Sequence, residues 1–229
     1  MKKLFLVGNW KSNKTQSETH IFMTEFLSHD FISWLHTTDR QSELQKKIIL
    51  CPPFTLLSEV AHTLEGYNLP IRLGAQNVSA FAEGAHTGEV SAREVSEFAQ
   101  YVIIGHSESR KALSETDAIL MKKVQQANEY QLEPIFCVQG KDTFVPEGVK
   151  IVAYEPIDSI GSGHPDTIDH VEEVAEFYKK NRHVSYVLYG GSVTADNVHR
   201  YTSLPGINGV LVGGASLDAE SFSRIIKNA

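Results

Sequence analysis

Short, nearly unbroken apolar runs recur along the chain, separated by longer stretches whose apolar positions follow helical spacing. The runs are Leu4–Asn9, Ile48–Cys51, Ile71–Ala75, Tyr101–Gly105, Pro134–Val138, Val149–Tyr154, Val184–Tyr189 and Gly209–Val212. Continuous apolar runs, rather than strict alternation, are the pattern of parallel strands covered by helices. Helical spacing marks Thr15–Leu27, Phe54–Glu65, Ser91–Ala99, Thr116–Glu129, Thr167–Lys180 and Ala219–Lys227. Ser91 with Glu94 three residues on is a capping box, and Thr194-Ala195-Asp196 offers the start of a short helix before Tyr201. The long connection Trp10–Lys47 has room for two helices. Eight β–α repeats predict an α/β chain folded as a closed parallel (β/α)8 barrel, in one domain over 1–229 with no linker. The alternative, an open doubly wound sheet, needs GxGxxG after an early strand. Here the first strand runs into GNWKSN, and the glycines of Gly161–Gly163 lack a third partner at that spacing.

One repeat departs from this rhythm. Between Val138 and Val149 lie ten residues, QGKDTFVPEG, with two glycines and a proline. A parallel crossover takes about a dozen residues or more. The fifth helix is therefore expected to be missing or reduced to a turn. Apolar outer residues of the fifth and sixth strands should then be partly exposed or covered by local rearrangement.

Composition narrows the partners. A formal net charge of −7 argues against a broad nucleic-acid-binding face but permits a pocket for one small anion. Cys51 and Cys137 lack metal-ligand spacing and read as buried free thiols. The apolar run Leu4–Gly8 is too short for a signal core or a membrane span, so no membrane partner and a cytoplasmic setting are expected.

In such a barrel, chemistry belongs at the C-terminal ends of the strands. There the sequence places Asn9 and Lys11, His106 and Glu108, Glu155, Gly190-Gly191-Ser192 and Gly213-Gly214. Singly, each has a plain explanation: a solvated lysine, a histidine at a helix start, a strand ending on Glu, two tight turns. Jointly they converge on one mouth. His20, His29, His36, His62, His170, His183 and His199 fall on helical or surface segments, and neither HxH nor HExxH occurs, so no metal site is expected. Glycine turns after the seventh and eighth strands let backbone N–H groups approach a phosphate unobstructed. A small phosphorylated metabolite follows from these turns alone.

The motifs NWKSN, GHSES, AYEPIDSIGSG, YGGSV and VGGASL, in this order and spanning nearly the whole chain, resemble the triosephosphate isomerase family; AQN (Ala75–Asn77) and GAHTGEVSA (Gly84–Ala92) match its third loop. The resemblance implies a TIM barrel that interconverts dihydroxyacetone phosphate and glyceraldehyde 3-phosphate through an enediolate, without cofactor. It implies Glu155 as general base, His106 as neutral proton shuttle, and Lys11, with Asn9, as stabiliser of the oxyanion. Glu108 would support Lys11. Gly161, Ser192, Gly213 and Gly214 would hold phosphate under a lid at Pro156–Asp166. A homodimer through the loop around Phe81–Thr87 is implied as well. Four places depart from the family pattern: Ser12 for Met, taken as a packing change; Ser109 for an arginine paired across the dimer near Glu89; Asp158 for the tryptophan of the first lid hinge; and Gln139-Gly140 for Gly-Glu after the fifth strand. Two rival functions are a phosphate-binding barrel with a larger substrate, such as a synthase, and a degenerate barrel kept for binding or assembly. The first would lack the ordered Asn9/Lys11/His106/Glu155 set, and the second predicts decay within it.

Overall fold

Eight parallel strands close on themselves in the order β1-β2-β3-β4-β5-β6-β7-β8 in the computed structural model, which describes residues 2–39, 44–67, 69–156 and 166–229. The strands are β1 (Lys2–Asn9), β2 (Leu44–Cys51), β3 (Ile71–Ala75), β4 (Tyr101–Ile104), β5 (Glu133–Val138), β6 (Ile151–Tyr154), β7 (Tyr186–Tyr189) and β8 (Gly209–Val212). Between them lie α1 (Gln16–Phe26), α2 (His29–Asp39), α3 (Phe54–Leu64), α4 (Ala92–Ser96), α5 (Ser107–Leu113), α6 (Asp117–Glu129), α7 (Ile168–Asn181) and α8 (Val198–Thr202), with α9 (Ala219–Asn228) last. The barrel and the paired helices of the first connection are as the apolar pattern predicts. None of the described helices is long and apolar enough to cross a membrane.

Where boundaries differ, local chemistry explains it. β2 begins four residues earlier than its apolar run, because Lys46 and Lys47 lie in the ladder with their stems on apolar surface. Lys46 Nζ donates to the Ile226 carbonyl at 2.8 Å, and Lys47 lies over the Phe5 ring. β6 and β7 begin two residues late, at Ile151 and Tyr186, which pair with each other. Gly148 turns the chain at φ +88°, and the Lys150 carbonyl accepts both Ser185 N–H and Tyr186 N–H before the ladder starts. α4 is shorter than its pattern, but its capping box forms: Ser91 Oγ accepts from Glu94 N–H, and Ser91 N–H donates to Glu94 Oε2.

The core divides in two. Phe5, Val7, Ile49, Cys51, Ile103, Ile135, Cys137, Ile151, Leu188 and Leu211 belong to a cluster of strand residues only, which fills the lumen. Their neighbours along each strand face outward and join helix residues such as Phe22, Leu57, Val124, Val171 and Phe222 in a second, larger cluster. This alternation is that of a small barrel filled by side chains. Both cysteines are free and buried, as expected.

The connection from β5 to β6, residues 139–150, holds no helix. Nevertheless the outward residues Phe136, Val138, Val152 and Tyr154 are buried, so covering rather than exposure is the outcome. The Arg110 guanidinium lies 5.3 Å from the Phe136 ring centre, and Val145 of the connection packs on the outer core. From α7, Tyr178 donates its hydroxyl to the Gly140 carbonyl at 2.5 Å, and Glu173 pairs with Lys141. Burial pushes the Tyr178 phenol up to about 12.

Candidate active site

At the C-terminal mouth of the barrel, Asn9, Lys11, His106, Glu155, Ser192, Gly213 and Gly214 line one cavity of about 400 Å³. β1 delivers Asn9 and Lys11, the β4 corner His106, β6 Glu155, and the turns after β7 and β8 the remaining three. Glu108 stands at the rim and pairs with Lys11, Nζ to Oε1 at 2.5 Å. Gly161 and Asp158 lie outside the described residues. Among those described, no cluster of three or more His, Cys, Asp and Glu is arranged to hold a metal ion.

Lys11 takes φ +54°, a left-handed conformation uncommon for a side chain of this size. Two contacts hold it there. Its N–H donates to Asn9 Oδ1 at 3.0 Å, and its carbonyl accepts from Gln76 Nε2 at 2.8 Å. Gln76 reaches the Cys51 carbonyl as well, tying the ends of β1, β2 and β3 together. Lys14, Ser114, Gln131 and His183 share a positive φ, but among these five only Lys11 lines the cavity.

The β4 corner fixes His106. Gly105 adopts φ +72°, and a Cβ there would meet the Arg110 guanidinium at 2.9 Å. Arg110 instead donates to the carbonyls of Gly105 and Cys137. His106 is itself the N-cap of α5, its Nδ1 accepting from Glu108 N–H at 3.3 Å. With Nδ1 accepting from a backbone N–H, Nε2 is the ring nitrogen left to donate. Nε2 faces the Glu155 Oε1 atom at 2.8 Å.

Glu155 is 1% exposed, at the end of β6. Its Oε2 accepts from Ser107 N–H at 3.0 Å and from Gln139 Nε2 at 3.3 Å. On its other side Gly190 leaves room: a Cβ there would lie 3.1 Å from Glu155 Cγ and from the Tyr154 carbonyl. Burial, with the nearby Glu155 carboxylate, pushes the Cys137 thiol well up. Beyond Glu155, Asp166 is anchored by the Tyr154 hydroxyl at 3.0 Å and by His170 at 2.7 Å, and its own N–H donates to Tyr189 Oη. Burial, and next the bond to Asp166, raises the Tyr154 phenol.

Around Phe81–Thr87 the chain is largely exposed, with Phe81 stacked on His86 at 4.3 Å and Arg93 paired with Glu83. Ser12 is exposed too, and it lines a second cavity with Pro53, Phe54 and Gln76. Four positioning contacts went unread in the sequence: Gln76, Ser107, Arg110 and Gln139. Gln76 lies in the AQN match and Ser107 in GHSES, and Gln139 stood out as a departure from the pattern after β5.

A family model described as Triosephosphate isomerase matches residues 4–148 and 142–229. Among curated proteins, the triosephosphate isomerase of Nostoc punctiforme is 39% identical over 252 residues, covering 99% of this chain and 98% of that protein. That of Dictyoglomus turgidum is 36% identical over 263 residues, covering both chains fully. Among solved structures, triosephosphate isomerase from Bartonella henselae superposes with a TM-score of 0.79 at 31% identity, over 98% of each chain.

Proposed function

This chain belongs to the triosephosphate isomerase family, and from that premise we propose that Glu155, His106 and Lys11 carry the proton transfers, with Ser192, Gly213 and Gly214 holding the phosphate. The reaction is the interconversion of dihydroxyacetone phosphate and D-glyceraldehyde 3-phosphate, a step of glycolysis and gluconeogenesis. In the proposed sequence Glu155 takes the proton from the carbon beside the carbonyl, and the electron pair moves onto the carbonyl oxygen. His106 Nε2–H donates to that oxygen and passes a proton between the two oxygens of the enediolate. Glu155 returns its proton to the neighbouring carbon, so nothing is oxidised overall and both residues end as they began. A carboxylate base beside a neutral imidazole is the pattern already known for this enzyme family, not one first found in this chain.

The observation that carries the assignment is the buried Glu155–His106 contact at 2.8 Å beside a cavity that also holds the Lys11 side chain. The Lys11 ammonium stabilises the developing oxyanion, and Asn9 shapes its loop. Substrate must displace the His106 donor from Glu155, since one Nε2–H serves one acceptor at a time. Gly161 belongs to the same proposal as a further phosphate donor, and the lid over Pro156–Asp166 as the part that excludes water.

The test is a coupled isomerase assay on the purified protein beside Glu155→Gln. Loss of activity by about three orders of magnitude or more is expected; an equally active variant removes Glu155 as base. One barrel domain over 1–229, a cytoplasmic setting and a homodimer through the Phe81–Thr87 loop complete the proposal. The exposure of Phe81 supports the dimer. Sedimentation that finds only fully active monomer at micromolar concentration would overturn it.

A further inference from the structure

The Glu155 carboxylate has its two oxygens treated differently. Among the described residues, Oε1 faces the His106 Nε2 donor, which substrate must take away; Oε2 is held twice, by Ser107 N–H and by the side-chain amide of Gln139, and the Cys137 thiol bonds the same carboxylate. We propose that Gln139 is a positioning residue of the isomerase, fixing Oε2 so that Oε1 is the atom that takes the proton from substrate. This rests on Glu155 being the base.

Three features support the assignment. An ionised carboxylate only accepts hydrogen bonds, so the amide must present its NH₂ group, as it does here. Glu155 is 1% exposed, so its oxygens depend on donors from the protein for their orientation. The donor is also held in place. Gln139 N–H donates to Thr143 Oγ1 at 3.1 Å, and the next carbonyl, that of Gly140, accepts from Tyr178. Both contacts belong to the helix-free β5–β6 connection. Gln139 does not line the cavity. It acts through Glu155.

The variant Gln139→Met keeps length and bulk but has no donor. Steady-state kinetics with ordinary and carbon-deuterated substrate read its effect. Because the bond at 3.3 Å is the longest of the three, the expected loss in kcat is modest, about three- to tenfold, with KM within about twofold. The primary deuterium isotope effect on kcat should rise as proton transfer becomes slower than product release. A parent-like kcat, or a lower kcat with an unchanged isotope effect, overturns the proposal. Tyr178→Phe frees the same connection but keeps the amide, and should leave the isotope effect unchanged; if it reproduces the Gln139→Met pattern, displacement of the loop is responsible and the proposal falls. Glu155→Gln separates the two levels. If it is inactive while Gln139→Met is unaffected, only this inference fails; if it is active, the assignment of the base fails.

Discussion

Removing the ammonium of Lys123 should cost more stability than any surface change in this chain. Lys123 lies on α6 with Nζ 2.6 Å from Glu115 Oε1 and 2.8 Å from Asn77 Oδ1. Its side chain is 8% exposed and that of Glu115 only 2%. Lys123→Met preserves the stem but leaves a carboxylate, where water hardly reaches, with the long 3.5 Å bond from Asn77 Nδ2 in place of its counter-charge. Breaking one side of a buried pair costs about 3–5 kcal/mol. For a chain of 229 residues, each kcal/mol moves Tm by about 2 °C, so a fall of about 6–10 °C is expected. The double variant Lys123→Met/Glu115→Leu removes both charges and should recover most of that loss, because the desolvation of two ions disappears with their attraction. Thermal melts followed by circular dichroism, at one protein concentration for all variants, give the comparison. A single variant within about 2 °C of the parent would show that Glu115 finds water or another partner, and the burial argument would fail. A double variant as unstable as the single would show that shape rather than charge sets the cost.

Two further outcomes follow from contacts already described. Gly190→Ala places a methyl group 3.1 Å from Glu155 Cγ, so kcat should fall about tenfold or more while Tm drops by only about 2–6 °C; a parent-like rate would mean that the carboxylate has slack. On the acid side, hydrogen bonds from Ser91 hold Glu94 below its ordinary 4.5, and those from Thr15 do the same for Glu18. Their folded-state pKa values lie below the unfolded ones, so the stabilisation is present above about pH 4.5 and is lost as pH falls through the lower folded values. Glu94→Gln should therefore flatten the dependence of Tm on pH between about 5 and 3, and an unchanged slope would remove the capping box from the account.

The closed barrel was legible because its strands are apolar on both faces, and runs such as Ile71–Ala75 and Gly209–Val212 coincide with the observed strands. Ordered strand ends then brought Asn9, Lys11, His106, Glu155, Ser192, Gly213 and Gly214 to one cavity. Less legible were elements whose sequence serves two purposes. Lys46 and Lys47 hid the start of β2, since a lysine reads as polar even when its stem lies on a packed surface. α5 was hidden because Ser107–Leu113 has no buried side chain and thus no apolar stripe. Gln76, Ser107 and Arg110 act through one or two hydrogen bonds each to backbone or carboxylate, and contacts between residues far apart in sequence leave no periodic trace. The ten-residue gap after Val138 announced the lost helix, but not that Phe136 and Tyr154 would still be covered.

The bond from Glu108 N–H to His106 Nδ1 belongs to two structures at once. It closes the first turn of a seven-residue helix, and it turns the other ring nitrogen toward Glu155. Fraying of that turn therefore releases the ring from its orientation as well. The orientation of the imidazole is thus tied to the local opening equilibrium of α5, and Arg110, bonded to the Gly105 and Cys137 carbonyls, fastens that helix to the barrel.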